Sequence, residues 1–259
     1  MEKDLWQATP EHIPVLGHRG ICAKYPENTM VSFEAAIAAG VDLIEFDVNI
    51  TADGIPVVIH DNDIARTADH QGLTRDYTLA ELKSFDFGVR FDPKFRGAQI
   101  PTLREVLTLA APHPDLLLNV EIKDMTAEAV DKTMAMLKEF GLEERSVIAC
   151  FNAGILLYVQ EHYPHMRTQG FPARYMKEQD DRIYQKMFGM GIPIRAKDSS
   201  DERIRADIAF ARERGILVWL FSADTPEDVM RCVAYGCDNI TGNDPEVALE
   251  ALRKKGMHR

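Results

Sequence analysis

The chain has 259 residues, with 30 Lys and Arg against 41 Asp and Glu and a formal charge of −11. That balance disfavours non-specific nucleic-acid binding but permits a local cationic pocket, and the length suits one α/β barrel or two small domains. Cys22, Cys150, Cys232 and Cys237 include no C-x-x-C pair, so zinc-ribbon spacing is absent and free thiols in a reducing compartment are expected.

Residues 1–14 hold acids and no apolar stretch of signal-peptide length, and no segment approaches a membrane span. A cytoplasmic protein without a stable membrane anchor is therefore expected. Val15-Leu16 opens a first strand that runs into His18-Arg19-Gly20. Residues 29–39 read as a helix, with Met30, Phe33 and Ile37 on one face and Gly40 as its stop. Leu43-Ile44 opens a second strand, which carries Glu45-Phe46-Asp47. Val57-Val58-Ile59 forms a third, ending at His60-Asp61. The link between these two strands is too short for a crossover helix, and its Asp53-Gly54 suits a hairpin turn. Residues 62–101 read as a small excursion with one short helix. Thr78 with Glu81, and Thr102 with Glu105, have capping-box spacing.

Leu116-Leu117-Leu118 leads to Glu121-Ile122-Lys123. Helices follow at residues 126–140, stopped by Gly141, and at about 153–161, with the strand Val147-Ile148-Ala149 between them. Residues 216–221, which include Trp219, and Asn239-Ile240-Thr241 supply late strands. Thr225-Pro226 and Asp244-Pro245 each place a cap before a proline at the first helical position, and Gly236 closes the helix between them. About eight such alternations predict a closed (β/α)₈ barrel. A doubly wound sheet would instead carry a Gly-rich phosphate loop after its first strand. No repeat or linker demands a second domain, so residues 1–259 are expected to form one barrel with 62–101 as an insertion.

Polar groups recur where these apolar runs end. Glu45 and Asp47 are two apart on a strand and share a face. Inside a barrel, two carboxylates repel unless protonated or metal-bound. Glu121 can join them, and three carboxylates without cysteine suit Mg²⁺ or Ca²⁺ better than zinc. His18 and His60 each end a strand. Paired, they suit acid and base roles, although either could instead ligate the metal. Asp61 could orient His60 or cap the following turn. Arg19 offers a planar fork to phosphate oxygens, and Lys123, on the face of Glu121, can offset phosphoryl charge. Trp219 could line the pocket or pack in the core. His12, His70, His113, His162, His165 and His258 lie in polar or loop contexts and receive no role.

Taken in order, several motifs resemble the glycerophosphodiester phosphodiesterase family. They are His18-Arg19-Gly20, Pro26-Glu27-Asn28-Thr29, Glu45-Phe46-Asp47-Val48, Asp53-Gly54, Pro56-Val57-Val58, His60-Asp61, Arg66-Thr67, Glu121-Ile122-Lys123, Trp219, and Ile240-Thr241 with Asp244-Pro245. The match runs from about residue 15 to 247 and is loosest from about 150 to 215. The resemblance implies a TIM-type barrel with a small insertion after the third strand, and a short second-to-third strand link as a normal part of the fold. It implies His18 and His60 as the acid/base pair, Glu45, Asp47 and Glu121 as ligands of a divalent cation, and Arg19 and Lys123 as phosphate holders. Glu27 and Asn28 would support the site from the loop entering the first helix. The chain departs from the family pattern at Leu220-Phe221-Ser222, where Thr-Val-Asn is usual, and at Cys150-Phe151, where Ser-Phe is usual. These positions fall on the pocket wall expected to face the alcohol.

The expected activity is metal-dependent hydrolysis of a small glycerophosphodiester to sn-glycerol 3-phosphate and an alcohol. The nucleophile is either water or the substrate's own hydroxyl by way of a cyclic phosphate. A lysophospholipase D-like activity on lipids and a catalytically silent phosphodiester-binding barrel are the alternatives. Neither a nucleic-acid partner nor a particular oligomeric state is implied.

Overall fold

The computed structural model describes residues 5–258. Its strands are β1 (Val15–Gly17), β2 (Leu43–Ile50), β3 (Pro56–Val58), β4 (Leu117–Ile122), β5 (Ser146–Ala149), β6 (Arg167–Gly170), β7 (Gly189–Pro193), β8 (Leu217–Phe221) and β9 (Asn239–Gly242). All except β3 run parallel and close into an eight-stranded barrel. The seam is β1, which pairs with β9 through Leu16 opposite Thr241 and with β2 through Leu16 opposite Leu43. The helices are α1 (Met30–Ala39), α2 (Leu79–Leu82), α3 (Leu103–Ala110), α4 (Ala127–Glu139), α5 (Ala153–His162), α6 (Asp201–Glu213), α7 (Pro226–Tyr235) and α8 (Pro245–Arg253).

The pleat sorts the side chains of β2. Ile44, Phe46, Val48 and Ile50 belong to the core between strands and helices, where Phe33 of α1 meets Phe46 edge-on at 6.0 Å. Glu45 and Asp47 alternate with them and therefore face the barrel axis. The floor of the barrel is apolar, built from Leu16, Leu43, Leu117, Val147 and Trp219, and Trp6 stacks on Trp219 at 5.9 Å. The inward polar groups thus sit at the C-terminal ends of the strands, above a packed floor.

β3 is antiparallel to β2, with Val58 opposite Val48. The short link is the hairpin that Asp53-Gly54 suggests: Gly54 has φ +76° and the backbone closes from Thr51 to Ile55. β3 is the third strand of the chain but no stave of the barrel. The excursion after it has a small core of its own, including Val57, Ile59, Ile64, Leu82, Phe87 and Ile100. Both capping boxes form, at Thr78 and at Thr102. Thr225 caps α7 by accepting from the Asp228 N–H. Asp244 makes no such bond at α8, and its carboxylate takes Lys24 instead.

Sequence patterning does not mark β6, β7 or α6. β6 reads Arg-Thr-Gln-Gly and β7 reads Gly-Met-Gly-Ile-Pro, both poor in the β-branched runs that signal buried strands. Their link is also atypical, with 3₁₀ turns at Ala173–Tyr175 and Asp181–Gln185 where other units carry an α-helix. The four cysteines are free, and no described helix is long and apolar enough to cross a membrane.

Candidate active site

The turn leaving β1 sets the first corner of the site. Arg19 has φ +53° and Gly20 φ +84°, both left-handed. This directs the Arg19 N–H onto Glu45 Oε2 at 2.9 Å, while the Arg19 carbonyl accepts from Ser32 Oγ at 2.9 Å. Position 20 has no space for a side chain. A Cβ there would lie 2.3 Å from Ser32 Oγ and 2.6 Å from the Ser32 carbonyl carbon and oxygen. Gly20→Ala is expected to destabilise the fold by about 2–5 kcal/mol, from left-handed strain plus overpacking. Urea unfolding measures this, and an unchanged midpoint would refute it.

One cavity at the C-terminal ends of the strands collects His18, Arg19, Glu45, His60, Glu121 and Lys123. Asp47 lies fully buried beside it. Oxygens of Glu45, Asp47 and Glu121 lie within 4.8 Å of one another. Two cations interleave: Arg19 Nε is 3.3 Å from Asp47 Oδ2, and Lys123 Nζ is 3.4 Å from Asp47 Oδ1 and also pairs with Glu121. Burial, with Asp47 and Glu121 alongside, pushes the Glu45 carboxyl well above the usual carboxylate range. Burial also raises Glu121, against the pull of Lys123. Burial opposes ionisation of Asp47 too, but Lys123 and Arg19 outweigh it and lower that carboxyl to about 2.

This donor set fits a hard divalent cation. Among the described residues Glu45 Oε1 is a buried acceptor without a hydrogen-bond partner, and Asp47 Oδ1 has only the 3.4 Å ion pair with Lys123. Such oxygens are costly to leave bare and are what an all-oxygen ion site requires.

The histidines are backed differently. Asn243 Nδ2 donates to Asp224 Oδ2 at 2.7 Å, so its Oδ1 faces His18 Nδ1 at 2.7 Å as an acceptor. His18 must then donate from Nδ1. Burial, then the Arg19 charge, lower its pKa to about 4, so it is neutral at pH 7 with a bare Nε2, 4.0 Å from Glu45 Oε2. His60 Nδ1 instead meets the Asp61 carboxylate at 2.6 Å. Burial lowers the His60 pKa, with Asp47 and Asp61 opposing.

Glu27 and Asn28 do not line the cavity. Glu27 bridges Arg19 at 2.9 Å and Arg66 at 2.7 Å, and Asn28 donates to Asp47 Oδ2 at 2.7 Å. Asp61 also binds Arg66, so it orients His60 within a network that returns to Arg19. Phe151 reaches the cavity and stacks on Phe171 at 3.5 Å, with Phe221 edge-on to Phe171 at 6.0 Å. With Ser222 these rings form the aromatic wall of the cavity, and it adjoins the charged cluster where Lys123 Nζ lies over the Phe151 ring, 5.4 Å from its centroid. Trp219 does not reach the cavity. It lies on the inner face of β8 two residues before Phe221, in the apolar floor, so of the two sequence readings core packing holds.

Asn243, Gln169 and Phe171 escape sequence reasoning. Asn243 stands between the recognisable Thr241 and Asp244, and only the β1–β9 seam brings it to His18. Gln169, which accepts from Asn119 at 2.6 Å, and Phe171 belong to the segment around the unmarked β6.

A model of the glycerophosphoryl diester phosphodiesterase family matches residues 18–247. The chain is 33% identical over 252 residues to a glycerophosphodiester phosphodiesterase of Caldanaerobacter subterraneus subsp. tengcongensis, covering 93% of this chain and 98% of that one. Among solved structures, it superposes with a TM-score of 0.82 and 24% identity on an Oleispira antarctica phosphodiesterase in complex with the product sn-glycerol-3-phosphate, covering 93% and 96% of the two chains. Glycerophosphodiester phosphodiesterase from Thermotoga maritima superposes with a TM-score of 0.73 and 26% identity, covering 92% and 98%.

Proposed function

This chain belongs to the glycerophosphoryl diester phosphodiesterase family, and from that premise we propose that it hydrolyses glycerophosphodiesters to sn-glycerol 3-phosphate and an alcohol by metal-dependent, two-histidine catalysis. The observation that carries the reading is the single cavity shared by two differently backed histidines and a three-carboxylate cluster. The cavity holds about 190 Å³, small beside the ~300–1,000 Å³ of drug-sized pockets, which favours a phosphoglycerol head over an acyl chain.

A Mg²⁺- or Ca²⁺-type cation held by Glu45, Asp47 and Glu121 would neutralise phosphate charge. Arg19 and Lys123 stabilise the non-bridging oxygens as charge builds on them. His18, neutral and bare at Nε2, removes the proton from the attacking hydroxyl. Its imidazolium is supported by Asn243. His60, whose Nδ1–H faces a carboxylate, is the better donor to the leaving alkoxide, because Asp61 favours its protonated form.

A panel of glycerophosphodiesters assayed for sn-glycerol 3-phosphate release with each metal in turn tests the activity. Release from soluble diesters is expected. Turnover of micellar lysolipid alone would favour the lipid alternative, and tight binding without product would favour a silent barrel. Within the site, Asn243→Leu removes the acceptor that selects the His18 tautomer. A loss of about 10–100-fold in kcat with KM little changed is expected, and an unchanged kcat would dismiss that role.

A further inference from the structure

A second cluster lies at the other end of the barrel and takes no part in the chemistry above. Asp42 enters β2 at its N-terminal end, and two imidazoles converge on its carboxylate. His12 Nε2 lies 2.7 Å from Oδ1 and His258 Nε2 lies 2.8 Å from Oδ2. The Val15 N–H also donates to Oδ2, at 2.8 Å. The two rings stand 4.5 Å apart, centroid to centroid, tilted by 34°. The three residues come from the segment before β1, the turn into β2 and the tail after α8.

We propose that His12, Asp42 and His258 form a binding site for a divalent transition ion of the zinc class. One nitrogen of each imidazole and a carboxylate oxygen lie within 4.8 Å of one another, a three-ligand N₂O set that leaves a fourth tetrahedral position for water. Two nitrogens exclude a preference for Mg²⁺ or Ca²⁺, so this site and the all-oxygen Glu45–Asp47–Glu121 cluster select opposite ions. An ion about 2.0–2.2 Å from each donor needs the N–O separations to open by roughly 0.5 Å. His12 and Asp42 can give this, because their side chains are 12% and 21% exposed. Among the described residues His12 Nδ1 has no hydrogen-bond partner, and the Asp42 carboxylate is what holds the His12 proton on Nε2. Ligation would fasten the N-terminal segment to the C-terminal tail, beside the backbone bond from Ile13 N–H to the Met257 carbonyl at 2.8 Å. Because the unfolded chain scatters these residues, binding stabilises the native state.

Zn²⁺ titration in excess Mg²⁺, which competes at the catalytic acids, tests this in the full-length protein. His12→Gln and His258→Gln each keep a hydrogen bond to Asp42 but remove a nitrogen ligand. The wild type is expected to bind one more equivalent of Zn²⁺ at micromolar protein than either variant. Its unfolding midpoint should rise by several degrees with Zn²⁺, and those of the variants should not. Equal stoichiometry in all three proteins, or a Zn²⁺-induced midpoint shift that survives both substitutions, overturns the site. If one variant fails to fold, the other still decides. Phosphodiesterase activity is not read in this experiment, so its outcome is independent of the catalytic assignment.

Discussion

With alanine at position 18, turnover is expected to fall by about 10²–10⁴ while the protein stays folded. The His18 ring bonds Asn243 and, weakly, Cys22 Sγ at 3.9 Å, so truncation removes a proton acceptor without opening the apolar core. Alanine at position 60 is expected to cost a similar factor, and a leaving group of low pKa should partly restore its rate, because such an alkoxide needs no proton donor. The same leaving group should not rescue the His18 variant. Near wild-type turnover in either variant removes the acid/base pair. The pH profile carries a related expectation with a definite sign. A base must be unprotonated to act, and burial and Arg19 hold His18 down to about 4. The acid limb of kcat/KM should therefore lie below the ordinary histidine value of about 6.5, and a limb at or above that value would contradict the buried environment.

Chelation is expected to abolish activity, and Mg²⁺ or Ca²⁺ to restore it. The reason is electrostatic. Three carboxylates converge on one point, and Arg19 and Lys123 compensate two charges at most. Burial makes an uncompensated carboxylate costly, so without an ion Glu45 is driven towards its protonated form. Replacing Glu45 with Gln removes that repulsion but also a ligand. The variant should need more cation for half-maximal rate and should lose turnover even at saturation. Full wild-type activity in excess chelator would eliminate the cation from the mechanism, while leaving the geometry of the histidines untouched.

The charged half of the site is legible in sequence for a specific physical reason. On a buried strand, the outward positions must be apolar to pack on helices, so Glu45 and Asp47 stand out against Ile44, Phe46 and Val48. The motif residues at 18–20, 60–61 and 121–123 are each local to one strand end, and no tertiary knowledge is needed to see them. The aromatic wall is hard to read for the complementary reason. Phe171, Phe221 and Gln169 are unremarkable residue types, and β6 and β7 rely on glycine and polar residues where large neighbours fill the space. A Cβ on Gly191 would lie 2.7 Å from the Phe171 ring, and one on Gly170 2.4 Å from Met187. These glycines admit bulky partners rather than marking turns, a requirement that belongs to the neighbours and not to the strand.

Sequence alone determined the alternation that closes a barrel, the strand ends that carry acids, bases and cations, and the caps of most helices. All of these depend on residues a few positions apart, within reach of one another through local backbone geometry. Closure of β1 on β9 decided the rest. It sets Asn243 behind His18 and, with the register of the neighbouring strands, leaves Trp219 in the floor rather than the pocket wall and gathers His12 and His258 on Asp42. His18 and Asn243 are 225 positions apart, and His12 and His258 are farther apart still. Those relations arise from packing and strand register, which no local pattern encodes.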